Sequence, residues 1–499
     1  MNLHKDFLSF VKKNKISFFI FLGALIFFFI QHYFHLSWDF AVYALNGRYL
    51  FFDGSHFEIY RAPITSFILG PLIKLGHFGA YFFILAVSSF FFYSIIRLSD
   101  TLYVKYFYRY NISKEMTRLF FVFFCFNPFV LFYGLLYGSE LLAISFFILF
   151  LVNFIKNKNA GYLLGLAFLT RYNFLIFFPF LFLNKNLKKI LEDIGSFLLV
   201  FIPWGLFNFL RHGNWFASIL DSYYLNILSR QNEFSAFEIS QLLPVFNWFL
   251  LFFVIGIVFF VYKILKKNKI RHLRYEILFF IVGIVLFFDF YKIPYKLTRY
   301  TFNLFLPIAF FCVYGLTNLW KKCSKKRLFR KVVFLIIILG FLFSVLFISF
   351  NGEYKEYEDF DKQTYFDLKK DLEEKGMQEC VLLSPNWVTG LGYYIDNSYR
   401  LMESVGDAVS KNKLVVIFES GFSIKERIKR NNLDKYNILL EKEDYAVIGK
   451  NNISKNNCEK DISHITFHIE DSCNVIKRKF EGSLLGKSFM RICNITSKK

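Results

Sequence analysis

The chain is poor in cysteine and lacks the familiar phosphate-binding signatures. It has only 7 cysteines among 499 residues, and no Cys-x-x-Cys pair occurs. Structural zinc sites built on closely spaced cysteines are therefore not indicated. A P-loop and a Gly-rich dinucleotide fingerprint are also missing, which excludes the nucleotide-binding classes that depend on them.

Negative charge is scarce as well. The chain has 38 acidic and 60 basic residues, for a net charge of +22. In a soluble protein this balance would point to nucleic acid, but here the lysines and arginines gather in short loops between apolar runs. The positive-inside bias of membrane proteins explains that distribution, so we expect no nucleic-acid partner.

Apolar residues are abundant and come in long runs. Hydrophobic residues make up 55% of the chain, 73 of them are phenylalanine, and the mean hydropathy is +0.39. Runs of roughly 18 or more apolar residues are typical of membrane-spanning helices. We predict a polytopic α-helical membrane protein with about eleven transmembrane helices, near residues 16–36, 77–96, 118–135, 139–155, 160–184 (two short spans), 190–210, 242–262, 275–290, 300–319 and 332–350.

The charges flanking these runs set the topology. Lysines precede the first run and no small-residue cleavage site follows it, so we expect an uncleaved signal anchor with a cytoplasmic N-terminus. Residues 160–184 hold Arg171 in their middle. An arginine at that depth on a lipid face is costly, which predicts a break there that faces a cavity or the outside.

Two domains are predicted. Residues 1–350 form the transmembrane domain, with a charged first outer loop at 37–76, and the composition changes sharply at 351. Residues 351–499 are expected to form an extracytoplasmic soluble α/β domain of the plasma-membrane protein, because predicted helices (361–375 and 403–411) alternate with apolar strand-like runs (381–383, 414–418 and 445–448). A hairpin is expected within 461–497. Disulfides are permitted there, and the pairing of Cys380, Cys458, Cys473 and Cys493 is open.

A few basic residues depart from the positive-inside pattern. They fall at the predicted outer surface: Arg61, Arg171, Lys292, Lys296 and Arg299. Such residues could anchor the spans at the interface, the lysines above all, or hold an anion at the outer leaflet. The planar fork of arginine suits phosphate, which favours the anion for the arginines.

The outer carboxylates beside the spans are equally few: Asp39, Asp53, Glu58, Glu140 and Asp289. Asp39 and Glu140 are the most informative, although each could simply stabilise a helix N-terminus. A carboxylate that faces several phosphate-binding cations suits sugar transfer from a lipid phosphate. The leaving group is then already a phosphate, so one base for the acceptor hydroxyl suffices.

A series of short motifs resembles a known group of enzymes. The motifs occur in a fixed order: Asp39 with Tyr43 and Arg48, Tyr60-Arg61-Ala62-Pro63, Ser139-Glu140, Leu169-Thr170-Arg171, and Thr298-Arg299-Tyr300 with Pro307. Over residues 1–350 this order resembles the GT-C glycosyltransferases. Within them it is most similar to the dolichyl-phosphate-mannose protein mannosyltransferases and the aminoarabinose transferases of lipid A.

The resemblance implies an inverting transfer of one sugar from a polyprenyl (dolichyl or undecaprenyl) phosphate to an acceptor on the outer face. Asp39 would be the general base. The donor phosphate would be held by Arg61, Arg171, Lys292, Lys296 and Arg299. Glu140, Arg48 and Glu58 would support the acceptor or a metal, and a divalent cation, if used, would bind at Glu140 and Asp39.

The acceptor and two other functions stay open. The protein mannosyltransferases have a second acid after the first-loop aspartate, whereas Phe40 follows Asp39 here, which argues against a protein acceptor. A lipid, a glycan and a protein all stay open as acceptors. The tryptophan-rich signature of oligosaccharyltransferases is absent. A flippase or transporter is the alternative, although the spans show no internal repeat. A non-catalytic assembly protein for a surface polymer is the third reading.

Overall fold

The computed structural model describes residues 10–323 and 362–460 with short gaps, isolated positions between 331 and 346, and residues 464–466. The gaps are 53, 111, 184–185, 231–236, 267–272, 295, 386, 420–422, 452 and 454–455. Asp53, Cys473, Cys493, most of the expected last span and nearly all of the expected C-terminal hairpin lie outside the described residues.

The membrane class predicted from composition is confirmed. Five of the described helical stretches are long and apolar enough to cross a membrane: Lys15–Phe34, Phe78–Lys105, Leu187–His212, Ile239–Leu265 and Thr298–Lys321. Shorter apolar helices lie among them. The chain is a multi-pass membrane protein, while the total of about eleven spans remains a prediction.

Helix α1 (Lys15–Phe34) leads to the segment predicted to be the first outer loop, and that name is kept below. It contains helix α2 (Trp38–Phe51), strand β1 (His56–Glu58) and helix α3 (Pro63–Ile73). The hydroxyl of Ser37 accepts a hydrogen bond from Phe40 N and caps α2. Helices α2 and α3 cross so closely that a Cβ on Gly47 would lie 2.7 Å from the Cα of Gly70. Glycine is therefore needed at this crossing.

Helix α4 (His77–Lys105) is longer than the span expected at 77–96. It continues past Arg97 because its later polar residues find partners. Asp100 accepts hydrogen bonds from Arg118 Nε at 2.6 Å and Nη2 at 2.8 Å, and Arg118 lies on helix α5 (Lys114–Cys125). This pairing satisfies the charge without ending the helix. A short 3₁₀ helix, Phe107–Tyr110, connects the two.

The single span expected at 118–135 is instead broken in two. Helix α6 (Pro128–Tyr133) starts anew because Pro128 occupies its first turn and Asn127 Oδ1 accepts a hydrogen bond from Val130 N at 3.0 Å. Helix α7 (Glu140–Ile155) follows.

The break predicted inside 160–184 is present. Helix α8 (Gly161–Thr170) ends where Arg171 adopts an extended conformation, and a 3₁₀ helix, Tyr172–Leu183, continues the chain. The Arg171 side chain therefore leaves the helix axis at the junction of two short segments and lines a cavity described below.

The remaining helices of the transmembrane domain complete the bundle. They are α9 (Leu187–His212), α10 (Ala217–Tyr223) with a π-helical turn (Tyr224–Leu228), α11 (Leu243–Phe246) between 3₁₀ turns Ile239–Leu242 and Asn247–Phe249, α12 (Leu250–Leu265), α13 (Arg274–Lys292), a 3₁₀ helix (Thr298–Leu304) and α14 (Phe305–Cys323). Most residues of the stretch Thr298–Lys321 are buried within the protein, more than in the other long apolar stretches, so it lies in the interior of the bundle.

The C-terminal region folds around a mixed five-stranded sheet. Its elements are α15 (Lys362–Glu374), β2 (Leu382–Ser384), α16 (Thr389–Tyr394), β3 (Ser398–Arg400), α17 (Val405–Ser410), β4 (Leu414–Phe418), α18 (Ile424–Arg430), β5 (Asn437–Glu441) and β6 (Tyr445–Gly449). The strand order is β3-β2-β4-β6-β5, with β2 parallel to β3 and β4 and the other pairs antiparallel. A disulfide joins Cys380 to Cys458.

This sheet region packs directly on the first outer loop. Thr389 Oγ1 donates a hydrogen bond to Trp38 O at 3.3 Å, and Arg48 Nη2 donates to Tyr393 O at 2.8 Å. Strand β1 pairs in parallel with β7 (His464–Thr466). Helix α2 is thus held at both ends by the C-terminal region.

Candidate active site

A cavity of about 490 Å³ lies where the first outer loop meets the starts and ends of several membrane helices. Residues from α2, the segment before α3, the start of α7, the break after α8, α10, the end of α13 and the segment before α14 line it. Five residues singled out from the sequence share its charged part: Asp39, Arg61, Glu140, Arg171 and Arg299.

Asp39 has both carboxylate oxygens paired. Its Oδ1 atom is 2.8 Å from Arg61 Nη2, and its Oδ2 atom accepts a hydrogen bond from Arg299 Nη1 at 2.9 Å. The three side chains keep between 14% and 18% of their surface exposed, so water competes only weakly for these contacts. The cap at Ser37 places Asp39 in the first turn of α2 and so aims it at the arginines.

The ionisation of Asp39 reflects this enclosure. Burial by itself would raise the pKa of the carboxyl, but the positive charges of Arg61 and Arg299 outweigh it and lower the pKa to about 2. The group is therefore a carboxylate at neutral pH. While both arginines hold it, its low pKa makes it a weak proton acceptor.

A second ion pair lies in the same cavity. Arg171 Nη1 contacts Glu140 Oε1, and Ser139 Oγ lies 3.3 Å from Glu140 Oε2. Glu140 is 3% exposed and begins α7, where the helix dipole also favours a negative charge. This pair keeps a guanidinium group at a depth where an uncompensated charge would be costly.

Aromatic rings flank two of the arginines. Arg61 lies 4.9 Å from the ring centroid of Tyr60, and Arg299 lies 4.5 Å from that of Tyr137. Arg61 also reaches Glu58 Oε2 through its Nε at 3.2 Å. These contacts fix the planes of the guanidinium groups and leave them oriented towards the cavity.

Besides these ion pairs, the cavity is lined by uncharged polar groups and one further carboxylate. Asn173 Nδ2 donates a hydrogen bond to Asp289 Oδ2 at 3.1 Å. Ser222, Tyr223 and Asn226 come from α10 and its π-helical turn. The cavity thus combines an ionic cluster with neutral amides and hydroxyls, and aliphatic side chains also line it.

The other predicted site residues take different places. Lys292 lines the cavity. Lys296 instead donates hydrogen bonds to the Ile293 and Tyr291 carbonyls, at 2.7 and 3.1 Å, and so caps the end of α13. Arg48 turns to the C-terminal region, and Glu58 reaches the cavity through its contact with Arg61.

Sequence reasoning missed much of the uncharged lining. Tyr172, Asn173, Ser222, Tyr223 and Asn226 carry no motif that distinguishes them from packing residues. The π-helical turn at Tyr224–Leu228 is a feature that often marks functional sites, but it cannot be recognised in the sequence.

The described residues contain no group of three or more His, Cys, Asp or Glu side chains placed to share a metal ion. The two predicted candidates, Asp39 and Glu140, both pair with arginines.

Comparison with known proteins gives a match at the level of structure. The sequence matches no established family profile and no curated protein. The structure is similar to that of ArnT from Cupriavidus metallidurans bound to undecaprenyl phosphate, with a TM-score of 0.56 and 12% sequence identity. The match covers 89% of this chain and 99% of the ArnT chain. The chain therefore has the fold of ArnT, and the resemblance to GT-C enzymes indicated by its motifs is confirmed at the level of the fold.

Proposed function

We propose that the chain is an integral-membrane glycosyltransferase that moves a single sugar from a polyprenyl phosphate donor to an acceptor on the outer face of the membrane. One observation carries the proposal: a carboxylate held between two arginines lines a cavity of a membrane protein that shares its fold with ArnT. The ArnT structure was solved with undecaprenyl phosphate, which supports a lipid of the same class here.

The arginines are the groups that would receive the donor. A phosphate diester carries one negative charge, and its free oxygens match the forked donors of Arg61 and Arg299. When these arginines turn to the phosphate, Asp39 loses hydrogen bonds that now occupy its two oxygens. Its pKa then rises and it becomes a better proton acceptor. Donor binding would therefore prepare the base.

The chemistry needs one displacement. The acceptor hydroxyl oxygen attacks the anomeric carbon while the bond from that carbon to the phosphate oxygen breaks. Asp39 takes the hydroxyl proton, and the departing polyprenyl phosphate keeps the bonding electrons as added negative charge. Arg61, Arg171 and Arg299 offset that charge, with Lys292 at the edge. Attack opposite the leaving group inverts the anomeric centre.

The remaining predicted residues have supporting roles in this scheme. Glu140 orients Arg171, and Glu58 orients Arg61. The divalent cation considered from the sequence would need Asp39 and Glu140, and both of these carboxylates already pair with arginines. The steps above use only protein side chains. The acceptor is a lipid, a glycan or a protein.

We further propose that the N-terminus is cytoplasmic and that the C-terminal α/β domain is extracytoplasmic. Two observations support this orientation. The domain packs on the first outer loop, next to Asp39. It also contains the Cys380–Cys458 disulfide, which is typical of an oxidising compartment.

The direct test is transfer by the purified wild-type protein in liposomes. Radiolabelled polyprenyl-phosphate hexoses, pentoses and amino sugars are supplied with a membrane extract as acceptor, and protein-free liposomes serve as the control. Label that moves to an acceptor only with protein supports the transferase. Donor that crosses the bilayer without transfer supports a flippase. Neither event, despite measurable donor binding, would favour a non-catalytic role.

A further inference from the structure

Asp289 is the carboxylate of the cavity that the proposed reaction leaves unused. It lies on α13 three residues before the end of that helix, and it lines the same cavity as Arg61, Arg171 and Arg299. Asp39 and Glu140 each contact an arginine, whereas no basic side chain in the described part of the chain lies within 4.0 Å of the Asp289 carboxylate. Within the described residues its charge therefore has no direct ion pair, and Arg171 acts on it only from a longer distance.

The hydrogen bonding of Asp289 is also incomplete. Among the described residues, one donor reaches it: Asn173 Nδ2, which is 3.1 Å from the Oδ2 atom. The other oxygen, Oδ1, receives no hydrogen bond from the described residues. The Asn173 Oδ1 atom is itself buried without a hydrogen-bond partner among the residues that the structure describes. A carboxylate near a membrane interface is costly unless it is paired, and such residues commonly bind ligands.

The position of Asp289 restricts what that ligand can be. The arginines that would hold the donor phosphate lie in the same cavity, and the transferred sugar is joined directly to that phosphate. The lining of this cavity includes neutral amides and a hydroxyl from Asn173, Ser222 and Asn226, and Lys292 lies on α13 about one turn after Asp289. Carboxylates and amides of this kind accept and donate hydrogen bonds to sugar hydroxyls, while they offer nothing to a prenyl chain.

We propose that Asp289, oriented by Asn173, selects the transferred sugar by accepting hydrogen bonds from a hydroxyl or protonated amino group on its ring. This inference rests on the proposed function and assigns the sugar-recognising side of the cavity. Asp289 contacts substrate but takes no part in bond breaking, and Asn173 is a positioning residue. The two residues come from distant segments, the 3₁₀ helix after α8 and the end of α13, and their hydrogen bond joins these segments at the cavity.

The test measures discrimination between sugars rather than activity alone. With the donor sugar found active, monodeoxy analogues that each lack one hydroxyl are compared with the parent by their kcat/KM ratios. In the wild type, removal of the hydroxyl that contacts Asp289 should lower kcat/KM roughly 10- to 100-fold, the range for hydrogen bonds to charged groups. In Asp289→Ala the ratio of kcat/KM between the parent donor and this deoxy analogue should fall to about one, while the ratios for the other ring positions remain.

Further variants separate recognition from structure. Asn173→Ala should reduce the same penalty only partly, since the carboxylate remains. Glu276→Gln removes a buried carboxylate from the same helix at its far end, where it contacts Tyr106, and should leave every ratio unchanged. Asp289→Asn distinguishes the two ligand groups: it preserves recognition of a hydroxyl in large part, but it weakens selection of an amino sugar strongly because the charge is lost.

Each outcome decides the inference. Identical deoxy penalties in wild type and Asp289→Ala would overturn it and leave the transferase proposal intact. If the wild type shows no transfer, the same ratios are measured as dissociation constants of the donors and their deoxy analogues. If Asp289→Ala abolishes the ratio of dissociation constants at one ring position only, recognition by Asp289 is still supported. If all ratios are the same in wild type and Asp289→Ala, that recognition is refuted.

Discussion

At the scale of single residues, the central feature is a carboxylate whose two oxygens each contact an arginine. Asp39 bonds to Arg61 and Arg299, which lie 22 and 260 positions away in the chain. A phosphate must compete for the same two guanidinium groups. In the proposed reaction, binding of the donor phosphate would therefore release Asp39 to act as the base.

The pH dependence of stability follows from the low pKa of Asp39. An aspartate has a pKa of about 3.9 in the unfolded chain. When its pKa is lower in the folded protein, the carboxylate stabilises the fold above about pH 3.9, and this stabilisation is lost as the pH falls through the folded pKa. With a folded pKa of about 2, the difference in thermal midpoint between wild type and Asp39→Asn should be constant from pH 8 to pH 5 and shrink below about pH 4. Differential scanning fluorimetry in detergent measures it. A difference that changes between pH 6 and 7 would contradict this ionisation state.

The arginines should contribute to donor affinity. Arg61→Ala or Arg299→Ala should each weaken binding of a polyprenyl phosphate roughly 10- to 100-fold, as expected for loss of a charge-assisted hydrogen bond. The control is Arg211→Ala, because Arg211 contacts Tyr49 and does not line the cavity. Equilibrium binding of radiolabelled undecaprenyl phosphate is the measurement. Unchanged affinity in the first two variants would show that these arginines serve only to hold the spans.

At the scale of elements, the crossing of α2 and α3 places Asp39 and Arg61 together. Gly47→Ala puts a Cβ 2.7 Å from the Cα of Gly70, so the helices must separate. Overpacking of this kind costs about 1–3 kcal/mol, and the thermal midpoint and transfer should both fall. Gly195→Ala on α9 meets no atom within 4 Å and should be neutral. Equal behaviour of the two variants would argue against a tight crossing.

The C-terminal region should influence catalysis through α2. Arg48→Gln removes hydrogen bonds to the Gly392 and Tyr393 carbonyls, at 3.3 and 2.8 Å, that hold the end of this helix. We expect a several-fold lower kcat with unchanged donor affinity, and partial recovery in Arg48→Lys. Steady-state kinetics with varied donor and acceptor concentrations separates an effect on kcat from an effect on the KM of either substrate. A change confined to the acceptor KM would instead support the acceptor role predicted from the sequence.

Local signals explain which elements could be predicted. The break at Arg171 follows from one charge inside an apolar run, and strands β4 and β6 follow from short apolar runs. The pairing of Arg299 with Asp39 could not be predicted, because it depends on how helices far apart in sequence pack. The same holds for Asn173 and Asp289. Helix α4 is longer than the sequence predicts, because Asp100 gains its partner from another helix.

At the scale of the whole molecule, the proposed orientation puts the cavity and the C-terminal domain on one side and the lysine-rich loops on the other. Met402 lies on the C-terminal domain and is 86% exposed, so Met402→Cys would place an accessible thiol there. In intact cells it should react with a membrane-impermeant maleimide, while Lys158→Cys should react only after lysis. The wild-type chain gives the background from native cysteines. The reverse pattern would invert the topology and place the reaction on the cytoplasmic face.

The assignment of Asp39 as the base is tested most directly by comparing wild type, Asp39→Asn and Asp100→Asn in single-turnover transfer and in donor binding. Asp100→Asn also breaks an aspartate–arginine pair, but outside the cavity. Loss of the base should lower the transfer rate of Asp39→Asn about 10²- to 10⁴-fold. Its donor affinity should be no weaker, because the phosphate no longer competes with the carboxylate. Near-normal transfer by Asp39→Asn, or equal losses in both variants, would contradict the assignment of Asp39 as the base.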